Sequence, residues 1–364
     1  MIVWISFIIL ILIYIIIEKA YQHYWDAHLN IEVSLPSENV HEGDVALITE
    51  IILNDKWLPL PILEVFFYLD KGLRYTDISN ASVSDKLYRR DVFAVGSKRK
   101  IRRTFEITCT KRGYYTLENL EMMSYDLFMV KKFLGSTEMF DDFHVYPRKV
   151  RSDRIALPYQ QIIGDLAVRK NLYEDPFAFG GLRDYVDTDP MSKVNWNATA
   201  KSQGLIVNTF DSTNNQNVTI LLDTHENRNS FSGPLNEESI CIASALIERL
   251  LIQGVELTLE GNALDIVSKE RLSLQKLKGL GISLIKQYLS RIELGDESPL
   301  TSNHFPIDCS DYIILISKNT NLEDWVRSTF KNYIWIVPYR FEQPSMLSIK
   351  EHCLPWKLES GDLQ

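Results

Sequence analysis

The hydrophobic periodicity changes near Pro147, and this change constrains the fold more than any other feature of the chain. From Ile31 onward, apolar side chains recur at every second position, and turn-forming residues separate the runs. Beyond Pro147, short apolar runs alternate with segments of helical periodicity. A period of two predicts half-buried strands, whereas alternation of strand and helix predicts a parallel sheet covered by helices. The chain of 364 residues is long enough for both domains.

The first half has the pattern of an antiparallel sandwich. Turns are predicted at 41–44, 54–61 and 111–115, where Gly, Asn, Asp and Pro cluster and Gly113 permits a tight turn. Several short strands separated by such turns favour an immunoglobulin-like β-sandwich over residues 28–150. The alternating apolar positions of the first two strands are Ile31, Val33 and Leu35, then Val45, Leu47, Thr49, Ile51 and Leu53.

The second half predicts an α/β domain over residues 216–345. A buried strand at 218–225 precedes a helix over 237–253 that ends at Gly254, and a strand follows it. A further helix is predicted over Leu274–Ile292, despite Gly279 and Gly281. Strands at 311–318 and 333–339 enclose a last helix, so the sheet is expected to be mostly parallel. Residues 346–364 are expected to form a C-terminal tail.

The amino terminus predicts a membrane anchor over residues 1–25. Residues 2–17 are apolar except for Ser6, and as a helix they cover roughly 24 Å of a hydrocarbon core of about 30 Å. Tyr21, Tyr24 and Trp25 follow, where interfacial aromatic residues are expected. A cleaved signal peptide is the alternative, but neither a basic segment nor a small-residue cleavage site accompanies the run. We therefore expect a single pass through the bilayer, with orientation weakly specified by Lys19.

Composition narrows the function classes. A net charge of −9 argues against nucleic-acid binding, because phosphates would be repelled. The basic run at 98–103 is expected to be a solvated strand face. The four cysteines have no zinc-ligand spacing and are expected to be reduced core thiols, which favours a cytoplasmic soluble region. They are Cys109, Cys241, Cys309 and Cys353.

Residues 179–210 are too polar for a core and too aromatic for a linker. Asp189 and Pro190 have the form of a helix N-cap followed by proline, which predicts a short helix through Trp196. Arg183 is expected to form a charged network with Asp184 and Asp187 that holds the loop. Trp196 and Tyr185 are expected to be buried anchors between the domains.

This segment resembles the signature of a large bacterial family known as domain of unknown function 58. The chain departs from that signature at Asp187 and Thr188, where Gly and Asp are usual, at Ser192, where Arg is common, and at Lys201, which replaces a final Arg. The matching residues are Phe179, Leu182, Arg183, Asp184, Tyr185, Asp189, Pro190, Trp196, Ala198, Ala200 and Lys201.

The resemblance implies that residues 151–215 bridge the sandwich and a von Willebrand factor A-like domain. Such domains often bind a divalent cation through Asp-x-Ser-x-Ser, but here the segment reads Asp223, Thr224, His225, Glu226 and Asn227. Both serines are replaced, and Lys318 adds positive charge near the expected site. We therefore expect no metal and local hydrogen bonds from Asp223. A zinc site using His225 and Glu226 would lack an identifiable third ligand.

Three functions follow as hypotheses. The resemblance implies partnership with a MoxR-type AAA+ ATPase and with transglutaminase-like membrane proteins, so the first is a non-enzymatic, membrane-anchored adaptor without a cofactor. The second is a cation-dependent adhesive or receptor domain outside the cell. The third is a hydrolase in which the carboxylates of Asp184, Asp187 and Asp189 are paired as acid and base. For the adaptor, the expected contact residues are Phe179, Arg183, Asp184, Tyr185, Asp189 and Trp196.

Overall fold

The computed structural model divides into two compact units, one of residues 1–149 and 286–291 and one of residues 150–285 and 292–363. The residues described are 2–36, 38, 40–76, 81–83, 87–172, 179–210, 217–225, 233–295, 299–302, 311–341 and 352–359. Cys309, Glu226, Asn227 and most of the predicted tail lie outside them.

A single apolar helix, α1 (Ile2–Tyr24), opens the first unit. It is long and apolar enough to cross a membrane, as an anchor or a signal sequence would be. Its side chains are exposed over most of its length, but its end is part of the neighbouring domain. Tyr21 and Trp25 are buried in the sandwich core, and the Tyr21 hydroxyl donates to the carbonyl oxygen of Pro59 at 2.7 Å.

The rest of the first unit is a sandwich of two sheets. One sheet has the order β1-β3-β8-β5 and the other β2-β10-β9-β4-β7-β6. All neighbours are antiparallel except β2 and β10, which run parallel. In chain order the strands are β1 (Leu29–Ser34), β2 (Val40–His41), β3 (Val45–Asn54), β4 (Leu60–Leu69), β5 (Leu73–Tyr75), β6 (Ala81–Val83), β7 (Leu87–Val95), β8 (Arg99–Cys109), β9 (Gly113–Tyr125) and β10 (Lys132–Tyr146).

The sandwich core confirms one of the alternating sets and corrects the other. Ile31, Val33 and Leu35 are buried, as their spacing predicts. On β3, however, Val45 and Leu47 face outward, and the buried set is Ala46, Ile48, Glu50, Ile52 and Asn54. The prediction chose the wrong face of β3 because two of its inward positions are polar. A shift of one residue reverses the faces of a strand.

The turn between β4 and β5 depends on a glycine. A Cβ atom added at Gly72 would lie 1.9 Å from the Tyr115 hydroxyl, which is buried and donates to the Lys111 carbonyl at 2.8 Å. We expect Gly72→Ala to destabilise the sandwich by about 1–3 kcal/mol, because Tyr115 must leave its site. Thermal unfolding of the full chain measures this loss.

Gly164→Ala is the matched control for that substitution. Gly164 lies in a helix, and no heavy atom lies within 4 Å of the added Cβ position. Removing a helical glycine is expected to be neutral or to stabilise by up to about 1 kcal/mol. An unchanged unfolding temperature for Gly72→Ala would contradict the proposed steric conflict.

The second unit contains a mostly parallel sheet of order β15-β14-β13-β17-β18-β19. The pairs from β14 to β19 are parallel, whereas β15 and β16 run antiparallel to β14. After residue 150 the chain forms α2 (Ser152–Leu172), β11 (Phe179–Asp184), α3 (Trp196–Thr199), β12 (Ile206–Phe210), β13 (Val218–Leu222), α4 (Gly233–Ile252), β14 (Leu257–Asp265), β15 (Arg271–Leu274), α5 (Ile282–Ser290), β16 (Ile292–Glu293), β17 (Tyr312–Ile316), α6 (Glu323–Thr329), β18 (Tyr333–Tyr339) and β19 (Cys353–Lys357).

Burial explains why the strands of this sheet lack alternation. All five residues of β13 and all five of β17 are buried, as expected for strands covered on both faces. The helix α4 covers the sheet with a wide buried surface that includes Ile240, Leu246 and Leu250. This apolar stripe confirms the helix predicted over 237–253.

Three predicted boundaries are corrected. The helix expected over 274–292 is divided: β15 ends at Leu274, Lys276 has a φ of 53°, and α5 begins only at Ile282. Residues 353–357 of the expected tail form β19, which pairs in parallel with β18. Residues 152–172 of the expected bridging segment form α2, which packs against α4. Local pattern could not reveal these contacts, since they depend on partners distant in sequence.

Candidate functional site

Residues 179–210 form a hairpin-like excursion, here called the signature hairpin. Strands β11 and β12 pair with each other in a separate two-stranded sheet, and Val207 of β12 also forms an isolated antiparallel bridge with Val194. Phe179 begins this sheet opposite Phe210, and Asp184 ends it opposite Ile206. Residues 185–205 connect the strands through a 3₁₀ turn at 191–193 and the short helix α3. The candidate residues of the sequence motif are therefore collected on one excursion.

An ion pair closes the connecting segment. The Arg183 guanidinium donates two hydrogen bonds of 2.6 Å to the carboxylate of Asp189, and the Val186 N–H donates a third at 3.0 Å. The Arg183 hydrogen bonds, followed by that of Val186, lower the pKa of Asp189. The carboxylate that this fork binds is thus that of Asp189, and Arg183 Nη1 also donates to the Asp184 carbonyl oxygen at 3.1 Å. The two N–H groups of an arginine side chain can bind both oxygens of one carboxylate when the groups are coplanar. The loop places the Asp189 carboxylate in that position relative to Arg183.

The cap of the short helix is also not the predicted one. Pro190 is extended and precedes only a 3₁₀ turn, while the Asp189 carboxylate is occupied by Arg183. Asn195 caps α3 instead: its Oδ1 accepts from the Ala198 N–H at 2.9 Å, and its Nδ2 donates to Asn208 at 2.8 Å. This second bond joins the helix to β12. The helix therefore begins at Trp196, where the sequence had predicted its end.

The side chains that the signature hairpin exposes are large and apolar. Trp196 is 61% exposed, so the prediction that it is buried is wrong. Leu182, Val186 and Met191 are each half or more exposed, whereas the small residues Val194 and Val207 are buried. Tyr185 is half-buried, and its N–H donates to the Leu205 carbonyl at 2.9 Å. The excursion thus packs around valines and directs its larger apolar groups outward.

A second polar cluster lies at the carboxyl ends of β13 and β17, and we call it the Asp223 network. Asp223 is 1% exposed. Its Oδ2 accepts from the Ser317 hydroxyl at 2.6 Å, and its Oδ1 accepts from Asn262 Nδ2 at 2.8 Å and from the His225 N–H at 3.2 Å. The predicted local bond to the backbone is present, and two side chains from other strands extend it.

Further bonds connect the Asp223 network to α4. Asn262 Oδ1 accepts from the Thr224 N–H at 2.9 Å, and Asn236 Nδ2 donates to the Thr224 carbonyl at 2.6 Å. Lys318 donates to Asn236 Oδ1. The sequence pattern did not identify Asn236 or Asn262 as members of this network. Asn262 lies within a buried strand, where a polar residue is a usable signal, whereas Asn236 lies on α4.

The residues of the Asp223 network do not fit a divalent cation. Both carboxylate oxygens of Asp223 already accept hydrogen bonds, and the Ser317 hydroxyl donates to one of them. Mg²⁺ binds through several oxygen ligands, whereas this network supplies one carboxylate, and the ammonium of Lys318 would oppose the charge of the cation. Within the described residues, no three His, Cys, Asp or Glu side chains form a metal-binding group. We conclude that this cluster stabilises the sheet end by hydrogen bonding.

Comparison with protein-family models and with curated proteins finds no match. Among solved structures, domains D2 and D3 of the major pilin SpaD from Corynebacterium diphtheriae match 30% of this chain at 16% identity, with a TM-score of 0.23. The match covers 51% of that pilin fragment. The CARDB domain of a Pyrococcus furiosus protein matches 32% at 19% identity, covering 89% of that chain, with a TM-score of 0.21.

A non-cellulosomal cohesin from Archaeoglobus fulgidus matches 32% of this chain and 91% of its own at 10% identity, with a TM-score of 0.22. At such identities and TM-scores, these likenesses support no inference about activity.

Proposed function

We propose that the protein is a non-enzymatic, membrane-anchored adaptor whose signature hairpin docks onto a partner protein. The observation that carries the proposal is the exposure of Leu182, Val186, Met191 and Trp196 on one internally bonded excursion. Apolar groups gathered on a surface are typical of interaction sites. Tryptophan in particular is enriched among the residues that dominate binding energy.

Internal bonding makes the signature hairpin suitable for docking. The Arg183–Asp189 pair and the Asn195 cap hold its connecting segment without help from a partner. A preformed surface loses less conformational entropy on binding than a flexible one. The polar motif residues thus shape the hairpin, while the apolar ones supply contact area.

The resemblance to domain of unknown function 58 supports a specific partner, a MoxR-type AAA+ ATPase. It also supports a von Willebrand factor A-like assignment for the second unit and an immunoglobulin-like one for the sandwich. The parallel order β14-β13-β17-β18 is compatible with the former. The reduced cysteines Cys109, Cys241 and Cys353 support a cytoplasmic soluble region.

The location of Tyr21 and Trp25 in the sandwich core supports an uncleaved anchor. Cleavage after α1 would remove Tyr21 from the core and expose apolar surface beneath it. A signal peptide is normally separable from the mature fold. We therefore propose that α1 remains attached and holds the protein in the membrane.

Neither alternative function has an observation that favours it. The cation-dependent receptor needs free ligand oxygens where Asp223 has hydrogen bonds. The hydrolase needs an acid and a base, yet Asp189 is held ionised by Arg183, which lowers its pKa. An ionised carboxylate cannot donate the proton that a general acid supplies.

The test is co-purification of the full chain with a MoxR-type ATPase from the same genome. We expect Trp196→Ala to weaken binding by about tenfold or more, as for central aromatic contacts. The matched control is Ile252→Ala, because Ile252 is 71% exposed on α4 and lies outside the signature hairpin. Thermal unfolding should be unchanged for both variants.

Two results would contradict the docking role. One is undiminished binding by Trp196→Ala, and the other is equal loss in Trp196→Ala and Ile252→Ala. Asp189→Asn tests whether the conformation of the signature hairpin matters for binding. The substitution removes the ion pair with Arg183 but keeps the contact residue Trp196. We expect this variant to bind more weakly than the wild type.

A further inference from the structure

The turn between β9 and β10 exposes four consecutive apolar side chains, here called the membrane tip. Leu127 and Phe128 are almost half exposed, Met129 is 59% exposed and Val130 is 65% exposed. Hairpin turns in soluble proteins are usually polar, since they lie in water. A continuous apolar sequence exposed at such a turn is typical of a surface that contacts a membrane or another protein.

The membrane tip has a fixed shape. Asp126 is fully buried at its base, and its Oδ1 accepts from the Val130 N–H at 2.7 Å and the Lys131 N–H at 3.2 Å. Met129 adopts a φ of 58°, and its N–H donates to the Asp126 carbonyl at 3.0 Å. A side chain and backbone bonds thus hold the turn with its apolar groups directed outward.

The membrane tip lies beside the apolar helix within the first unit. The ring of Phe128 is 5.2 Å from that of Tyr14, and Lys131 pairs with Glu18. Tyr14 precedes Glu18 by four residues, which places it roughly 6 Å further along the helix toward its apolar end. The tip therefore extends past the first charged residues of α1 and alongside its apolar part.

We propose that the membrane tip inserts into the bilayer that α1 spans and forms a second hydrophobic contact of the sandwich with lipid. The proposal is independent of the partner of the signature hairpin and rests only on α1 being a membrane anchor. Its occupant is the acyl region of the lipid, because the tip continues the apolar surface of α1. Penetration of about 5–10 Å is typical of such interfacial elements.

Charged and aromatic residues near the membrane tip fit the headgroup region. Lys132 follows the tip and its neighbour Lys131, and its ammonium group suits the depth of the lipid phosphates. Trp57 is 64% exposed in the loop whose Pro59 accepts from Tyr21. Tryptophan is enriched at membrane interfaces. The ion pair with Lys131 also neutralises Glu18 at the end of the apolar run.

The test is spin-label accessibility in the full chain, reconstituted in vesicles of phosphatidylcholine and phosphatidylglycerol. Single labels are placed by Phe128→Cys, by Ile9→Cys on α1 and by Leu47→Cys, an exposed apolar position on β3. The background carries Cys309→Ser, and its buried Cys109, Cys241 and Cys353 are checked for residual labelling. Frequent collisions of the spin label with oxygen indicate that the label lies in lipid. Frequent collisions with a water-soluble nickel complex indicate that the label is exposed to water.

We expect labels at 128 and 9 to favour oxygen and the label at 47 to favour nickel. The tip proposal is overturned if the label at 128 behaves like that at 47 while the label at 9 favours oxygen. It is also overturned if both reagents are excluded at 128, which would indicate burial by a second copy of the chain. Nickel access at position 9 would instead refute the anchor itself.

Discussion

Replacing Asp223 by alanine should destabilise the second unit by about 3–5 kcal/mol. Asp223 is buried and accepts from Ser317, Asn262 and the His225 N–H. Truncation leaves these donors buried without an acceptor, and each unsatisfied group costs about 1–3 kcal/mol. Thermal or urea unfolding of the full chain in detergent measures the loss.

The same experiment tests the cation-dependent alternative. Mg²⁺ or Mn²⁺ should leave the unfolding temperature of the wild type unchanged, because the Asp223 network holds one hydrogen-bonded carboxylate and the ammonium of Lys318. Asp184→Ala is the control, since Asp184 is exposed and its loss should cost less than about 0.5 kcal/mol. A rise in stability with either ion that Asp223→Ala abolishes would reverse our conclusion.

The sandwich should lose stability as the pH rises from 4.5 to 8. Burial, and then the nearby carboxylate of Asp91, raise the pKa of Glu50 from its ordinary 4.5 to about 8. The folded state therefore keeps a proton that the unfolded state releases. Stability is fully present below pH 4.5 and decreases toward pH 8, at up to about 1.4 kcal/mol per pH unit. The total is on the order of 3–5 kcal/mol.

The geometry around Glu50 explains this dependence. Glu50 is 1% exposed on the inner face of β3. Its carboxylate oxygens accept no hydrogen bond from a donor, and a side-chain hydrogen bond with Asp91 favours the protonated form. Arg89 and Arg103 donate to Asp91 instead, and the guanidinium of Arg89 lies 3.8 Å from the ring centre of Phe105. Both arginines therefore bind the Asp91 carboxylate. Their positive charges lower the pKa of Glu50 by less than burial raises it.

Glu50→Gln is expected to remove this component of the pH dependence. Unfolding midpoints of the wild type and the variant, measured from pH 5 to pH 8.5, should diverge as the pH rises, with the variant relatively more stable at the alkaline end. Glu106→Gln on the exposed face of β8 is the control and should follow the wild type. Parallel profiles for Glu50→Gln and the wild type would refute the assignment.

The local hydrophobic pattern predicted helices and strands correctly where buried residues recur at a regular spacing. The stripe of Ile240, Leu246 and Leu250 predicts α4, and the uninterrupted apolar run at 218–222 predicts a strand buried on both faces. The same pattern predicted the wrong buried face of β3, where Glu50 and Asn54 point inward. Glu50 lies in a buried cluster of charged residues, and the positions of apolar residues in the sequence do not reveal such a cluster.

The motif at 179–210 shows the same limit at the candidate site. Its residue types correctly indicated an ordered, charged loop, since Arg183 and Asp189 do form its central ion pair. They did not indicate which carboxylate Arg183 binds, that Asn195 caps α3, or that Trp196 faces solvent. Partner choice depends on the path of the backbone through the loop. Exposure of an aromatic side chain depends on which neighbours reach it.

By itself, the amino-acid sequence determined the apolar helix, the order of strand-rich and alternating segments, and the location of the unusual motif. These properties depend on the periodicity and chemistry of residues close in the chain. Only the tertiary structure decided that Asp223 binds Ser317 and Asn262, and that the membrane tip lies beside Tyr14. Such contacts join residues about 40 to 115 positions apart, and their formation depends on sheet order and packing, which no local pattern specifies.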